Sequence, residues 1–182
     1  MARMIRPRRV VRWHSFVFLG FLALFTLWMT QSVRLAKIPS GSMEPTLRPG
    51  DFVLMRIDAY RNDLPKRGDV VIFRDRKSRE LLVKRVIGLP GEKVGVAGDA
   101  VWVNHKRLKE PYTKGAKTWR TGFLVKLGDD EIWVMGDNRE HSSDSRDFGA
   151  ISSRQLVGRG ASIIWPPGRR QRLSSDLSAT KN

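Results

Sequence analysis

Residues 15–33 carry no charge, in a chain of which 29% of the residues are charged. The run is dominated by Phe, Leu and Val, and Arg3, Arg6, Arg8, Arg9 and Arg12 precede it. A membrane-spanning helix needs about 20 mostly apolar residues, and this run meets that length. Trp13 and Trp28 stand near its two ends, where interfacial aromatics are favoured. A cleaved leader has a shorter apolar core followed by a small-x-small site, and Arg34-Leu35-Ala36-Lys37 offers none. A core helix apolar on all sides is unusual in a chain this small. The expectation is one uncleaved transmembrane signal-anchor helix over 15–33, behind a basic cytoplasmic N-terminus over 1–14. The arginine excess before the run places that end in the cytoplasm and the rest of the chain outside it.

The formal net charge is +16, from 34 Lys and Arg against 18 Asp and Glu. Such a balance suits either nucleic acid or anionic lipid as a partner. Export of the basic body across a membrane counts against nucleic acid and leaves the lipid bilayer. The chain has no cysteine, which excludes thiol catalysis, Cys-ligated zinc and disulfides. Its three histidines, His14, His105 and His141, show no metal-ligand spacing. No metal or organic cofactor is implied, and nothing requires more than a monomer.

After residue 50 the pattern changes to short runs rich in Val, Ile, Phe and Trp: 52–57, 70–73, 81–87, 100–103, 132–135 and 156–164. Turn signals separate them, among them Arg67-Gly68-Asp69, Leu89-Pro90-Gly91 and Gly136-Asp137-Asn138. Many short strands with few helical stretches predict a mainly β fold, an antiparallel sheet or barrel-like domain. From Pro166 the chain turns polar and basic, so residues 166–182 read as a disordered tail.

Three segments hold residues that a plain sheet does not need. Ile38 to Leu47 places two serines around a glycine, and a serine becomes a nucleophile once a base takes its proton. An ST-turn is the local alternative. Val83 to Glu92 puts Lys84 in an otherwise apolar strand, on the face of Leu82 and Val86 by alternation. A strand lysine is ordinarily solvated. Burial would instead disfavour its ammonium form and make it a competent base. Met135 to Arg146 is a polar loop after a strand, without the glycine and terminal Glu of a calcium-binding EF-hand.

Ser-Gly-Ser-Met-x-Pro-Thr-Leu at 40–47, Gly50-Asp51, Arg67 to Val71, Lys84 to Gly91 and Gly136 to Arg146 follow one another in order. With Val101 to His105 and Glu110-Pro111-Tyr112, the series resembles that of bacterial type I signal peptidases, the Ser/Lys-dyad leader peptidases, over residues 36–165. The resemblance implies an extracytoplasmic Ser/Lys peptidase domain at the cytoplasmic (inner) membrane. Such a domain removes signal peptides from secretory preproteins by cutting after small residues, Ala-x-Ala. It implies Ser42 as nucleophile and Lys84 as general base. Ser40 and the Ser42 backbone N–H would form the oxyanion hole, and Ser142 would orient the lysine. Arg85, Asp137, Asp144 and Arg146 are expected as supporting ion pairs. Ile38, Leu47, Val53 and Val83 are expected to line the substrate pockets. Trp102, Trp165, Phe52 and Met43 are candidates for a lipid-facing surface, with core packing the alternative for Trp102.

The sequence departs from the family pattern at Glu140-His141, where many members carry Asp-Asn. His141 beside Ser142 therefore admits a triad reading. The alternatives in function are a specialised relative, such as a pilin-maturation or organelle inner-membrane peptidase, a cytosolic self-cleaving repressor, and a basic membrane-tethered β module that binds without cleaving.

Overall fold

The computed structural model describes residues 16–23, 32–98, 100–113 and 122–173. The chain divides into two units, Met1–Ser32 and Val33–Asn182. In the first, residues 16–23 are helical. Most of the expected membrane run lies outside the described residues, and so does the N-terminus before it. Among the described residues no helix is long and apolar enough to cross a membrane. Val33, the last residue of the expected span, opens a strand.

The second unit is mainly antiparallel β. Its strands are β1 (Val33–Lys37), β2 (Phe52–Arg56), β3 (Val70–Arg74), β4 (Leu81–Gly88), β5 (Lys93–Ala97) and β6 (Ala100–Val103). They continue with β7 (Lys106–Arg107), β8 (Phe123–Lys126), β9 (Glu131–Met135), β10 (Ile151–Ser152), β11 (Leu156–Trp165) and β12 (Gln171–Arg172). A one-turn helix, α1 (Ser145–Phe148), precedes β10. The larger sheet runs β1-β2-β11-β3-β4-β9-β10, with β12 on β11, and the smaller runs β7-β6-β5-β8.

Each of the six predicted runs forms a strand. The strands not anticipated are short or broken in pattern. Lys93-Val-Gly-Val-Ala in β5 has a glycine at its centre, and the cations of β1 mask its alternation. The tail expected to be disordered from 166 is ordered as far as 173. Pro167–Arg169 makes a 3-10 turn and β12 pairs with β11. Its anchor is an ion pair: Arg169 donates to both Asp51 carboxylate oxygens, at 2.8–3.2 Å, and to the Thr46 carbonyl.

Three apolar clusters hold the unit. Val71, Phe73, Val86, Ile132, Val134 and Ile151 pack across β3, β4, β9 and β10. Ile87, Val94, Val101, Tyr112, Trp133 and Met135 join the small sheet to the large one. Ile38, Met43, Leu47, Val53, Val70 and Ile163 fold the segment after β1 onto β2 and β11. Each fully buried side chain of this size contributes about 1.5–3 kcal/mol. The third cluster thus has ample reason to hold the loop that carries Ser42.

Candidate active site

Alternation along β4 sets Leu82, Lys84 and Val86 on one face, as the pleat requires. Lys84 lies opposite Val71 of β3, in the middle of the sheet, and is only 4% exposed. The Met43 and Leu47 side chains, both fully buried, pin the turn over residues 42–46 against the core. Ser42 is thereby delivered to the lysine, whose Nζ donates to its Oγ at 2.8 Å. Burial is the main influence on the amine and lowers its pKa from 10.5 to about 8. The negative charges of Asp144 and Asp137 resist that fall, and Arg146 adds to it. A lysine with the ordinary pKa is neutral in about one molecule in a few thousand at pH 7. Lowered to about 8, it is neutral in roughly one in ten.

Ser40 is exposed, and its hydroxyl reaches the Ser42 hydroxyl at 3.5 Å. The loop after β9 grips the same turn from the other side. Asn138 donates its backbone N–H to the Ser42 carbonyl at 3.1 Å and its side-chain amide to the Gly41 carbonyl at 3.1 Å. Gly136 has no side chain because there is no room for one. A Cβ there would meet the Ser42 carbonyl oxygen and the Ser142 side chain. Ser142 is thus packed close to the Ser42 backbone. Its hydroxyl is buried and makes no hydrogen bond of normal length and angle, whether to Lys84 or to nearby Asp144. His141 sits at the rim of the cleft, exposed. The partners of the Ser42 hydroxyl are Lys84 and Ser40.

The four expected ion-pair residues form two buried bidentate pairs. Arg85 donates to Asp137 at 2.8 and 2.6 Å, and to the Gly68 carbonyl at 2.8 Å. Gly68 can serve there because its φ of 90° is one that glycine adopts without strain. Arg146 donates to Asp144 at 2.8 Å twice, and Asp144 also accepts from the Gly136 N–H at 2.9 Å. Burial alone would raise the Asp144 carboxyl. The Arg146 hydrogen bonds and charge outweigh it and hold the carboxyl below its usual value. The Arg85–Asp137 pair ties β4 to the loop after β9, and the Arg146–Asp144 pair, with the Gly136 N–H, braces that loop within itself.

Several supporting residues were not anticipated. Thr46 donates to Asp137 at 2.5 Å. Glu110 takes two hydrogen bonds from Arg139, at 3.0 and 2.5 Å, and one from the Tyr112 hydroxyl at 2.9 Å. Arg139 in turn donates its Nε to the Gly136 carbonyl at 3.0 Å. The Tyr112 ring has the Arg85 guanidinium 4.1 Å from its centroid, within the range of a favourable cation–π contact. The hints in sequence were their places in the motifs at 40–47, 110–112 and 136–146, without any sign of which residue partners which.

Ser42 and Lys84 open into a cleft of about 640 Å³. Its apolar lining comes from Leu82 and Phe148, and its rim includes Asp75, Lys77 and Glu80. Of the residues expected to line substrate pockets, Ile38, Leu47 and Val53 are buried in the third cluster, and Val83 packs against it. Met43 is likewise core and not lipid-facing, whereas Trp102 and Trp165 are exposed.

A serine hydroxyl at a cleft, held by a buried amine with a lowered pKa, defines the class of site: that of a serine hydrolase. The model of the family described as "Signal peptidase, peptidase S26" matches residues 10–165. A probable signal peptidase I-2 of Synechocystis sp. is 38% identical over 145 residues, 76% of this chain and 66% of that one. Signal peptidase IB of Staphylococcus aureus is 34% identical over 176 residues, 87% of this chain and 91% of that one. A signal peptidase I of Enterococcus faecalis V583, known as a crystal structure, is 27% identical. It matches with a TM-score of 0.49, over 53% of this chain and 97% of that one. The family model and the two relatives carry the assignment: the chain belongs to the signal peptidase family, peptidase S26.

Proposed function

We infer that this chain is a serine endopeptidase that removes N-terminal signal peptides from exported preproteins, with Ser42 as nucleophile and Lys84 as general base. The observation that carries the residue assignment is the 2.8 Å contact between Lys84 Nζ and Ser42 Oγ in a setting that lowers the amine's pKa. A base must lie within hydrogen-bond reach of the proton it takes, with a pKa near the working pH.

The neutral Lys84 amine takes the Ser42 proton as Oγ bonds to the scissile carbonyl carbon. The Ser42 N–H and the Ser40 hydroxyl donate to the oxyanion that develops, an effect worth about 100- to 1,000-fold per donor. When the intermediate collapses, the carbon–nitrogen bond breaks and the Lys84 ammonium returns its proton to the leaving amine. The signal peptide stays as an ester on Ser42. Water then attacks that ester and gives a proton to Lys84, and Ser42 regains its hydrogen as the signal peptide departs. Ser142, beside the turn, orients the amine during these transfers.

The preferred sites are those with small residues before the cut, as the family resemblance implies. Residues 15–33 attach the enzyme to the cytoplasmic membrane, with the β unit on the outer side. There the substrate is itself tethered, and co-tethering raises its effective concentration.

The test is cleavage of a preprotein carrying an Ala-x-Ala site, by the full chain in detergent or lipid. Wild type should cut after the second Ala, with Ser42→Ala and Lys84→Ala falling to background. Substantial activity in Lys84→Ala would remove the lysine from the base role and bring His141 forward. No cleavage by wild type would leave a specialised substrate as the better account.

A further inference from the structure

Asp51 closes the loop that runs from Ile38 through Ser42. Its carbonyl accepts from the Ile38 N–H at 2.8 Å, and its carboxylate accepts from the Arg48 N–H at 2.9 Å. Arg169 reaches into this closure from the 3-10 turn after β11. Its Nε donates to Asp51 Oδ1 at 3.0 Å. Its Nη2 donates to Asp51 Oδ2 at 2.8 Å and to the Thr46 carbonyl at 3.1 Å. The Asp51 side chain is 2% exposed, and a carboxylate so buried needs a partner. The Glu44 carboxylate, on the serine's own turn, adds its attraction for the guanidinium.

Thr46 is where this hold meets the dyad. Its hydroxyl donates to Asp137 at 2.5 Å, and Asp137 pairs with Arg85, the residue after Lys84. The next N–H in the chain, that of Leu47, donates to the Met43 carbonyl at 2.9 Å and closes the turn behind Ser42. Thr46 is thus fixed by its carbonyl to the segment after β11, and by its hydroxyl to the ion pair beside the lysine. That segment has its own anchors. β12 pairs with β11, the Leu173 N–H donates to the Ala161 carbonyl at 2.9 Å, and Leu173 packs on the cluster that holds Met43 and Leu47. Among the described residues that line the cleft, Arg169, Asp51 and Thr46 do not appear.

We propose, on the dyad reading given for the function, that Arg169 is a positioning residue: through the Asp51 carboxylate and the Thr46 carbonyl it fixes the turn over residues 42–46 so that Ser42 meets Lys84. The guanidinium suits this task because its planar fork satisfies a carboxylate and a carbonyl together. A lysine keeps the charge but is a compact point on a flexible stem, without the fork. A displacement of about 1 Å at a reacting group costs about 100-fold in rate. Arg169 therefore governs rate without touching substrate.

The test uses the full chain in detergent, as wild type, Arg169→Gln, Arg169→Lys and Arg170→Gln. Arg170, whose guanidinium donates to the Ile164 carbonyl, is the control on the same segment. Each protein is first shown to be folded by circular dichroism. Hydrogen exchange at the Leu47 amide should quicken in both Arg169 variants and match wild type in Arg170→Gln. On a peptide with an Ala-x-Ala site, kcat should fall about 10- to 100-fold in both Arg169 variants. KM should stay within about twofold of wild type, since no contact with substrate is removed. The inflection of the pH–rate profile should not move, because burial, Asp144, Asp137 and Arg146 set the lysine. A merely structural role would lower the melting temperature and leave kcat per folded molecule unchanged. Wild-type kcat in either Arg169 variant overturns the proposal, and so does wild-type exchange at Leu47 or a raised KM with kcat intact. A wild type that cuts nothing counts against the peptidase reading, and the exchange at Leu47 reports separately on the hold of Arg169.

Discussion

Lys84 Nζ donates to Ser42 Oγ at 2.8 Å, although the two residues lie on separate elements, Lys84 on β4 and Ser42 on a turn that the buried Met43 and Leu47 side chains and the Asn138 hydrogen bonds hold in place. The amine's pKa, lowered to about 8 chiefly by burial, sets the pH dependence of the proposed reaction. The active form is the neutral one, so kcat/KM should rise about tenfold per unit below pH 8 and level off above it. Asp144 holds the amine's pKa up, so Asp144→Asn should move the profile to lower pH in whatever fraction folds. A pH–rate profile over pH 6–10 checks both. A profile that levels off near pH 6.5, the ordinary range of histidine, would point away from Lys84.

Ser142 offers a clean separation of stability from activity. Its buried hydroxyl lies against the Asp144 carboxylate and is a minor one among the groups that hold that carboxyl below its usual value, after Arg146 and the Gly136 N–H, so removing it sacrifices little. Ser142→Ala should therefore melt within a few degrees of wild type. If the hydroxyl orients the lysine during the reaction, kcat should nonetheless fall by about tenfold or more. An unchanged kcat would leave Ser142 with packing alone.

Gly136 is required by close approach. Adding one methyl group forces apart the Ser42 carbonyl and the Ser142 side chain, neither of which can give way without moving its loop. Overpacking of this kind costs about 1–3 kcal/mol. The larger effect should be on rate, since a displacement of about 1 Å at a reacting group costs about 100-fold. Denaturant unfolding and peptide cleavage by Gly136→Ala measure the two. Near-wild-type activity would show that the turn at Ser42 is more compliant than its packing indicates.

Glu110 neutralises a guanidinium that is almost wholly buried. Glu110→Gln would leave Arg139 without its countercharge, at a cost of about 3–5 kcal/mol. It would also loosen the hold of Arg139 on the Gly136 carbonyl. Replacing both partners, as Glu110→Leu with Arg139→Met, should recover most of the stability. Urea unfolding of the two variants beside wild type decides it. A single variant within 1 kcal/mol of wild type would mean that water reaches Arg139.

Much of the β unit was legible because its information is local. Alternating Val, Ile and Phe between Gly-Asp and Pro-Gly turns identified six strands, and the same alternation placed Lys84 beside Leu82 and Val86. Which apolar side chains border the cleft was not legible, because proximity in sequence does not say which way a side chain points: Ile38, Leu47 and Val53 are buried in the core, while Leu82 and Phe148 line the cleft. The tail was misread because composition cannot show that Arg169 finds Asp51 across the sheet.

By itself the sequence determined the residue types at the site and their order. It supplied a serine in a glycine turn, a lysine in an apolar strand, and a polar loop with two Asp and two Arg. It also determined where the strands form, because period-two patterning acts within a few residues. The tertiary structure alone decided that Lys84 is buried, that Arg85 takes Asp137 while Arg146 takes Asp144, and that Glu110 backs the loop at Gly136. Those relationships depend on which distant segments exclude water from one another. Desolvation, which lowers the amine's pKa and makes each unpaired charge costly, exists only once the chain has packed.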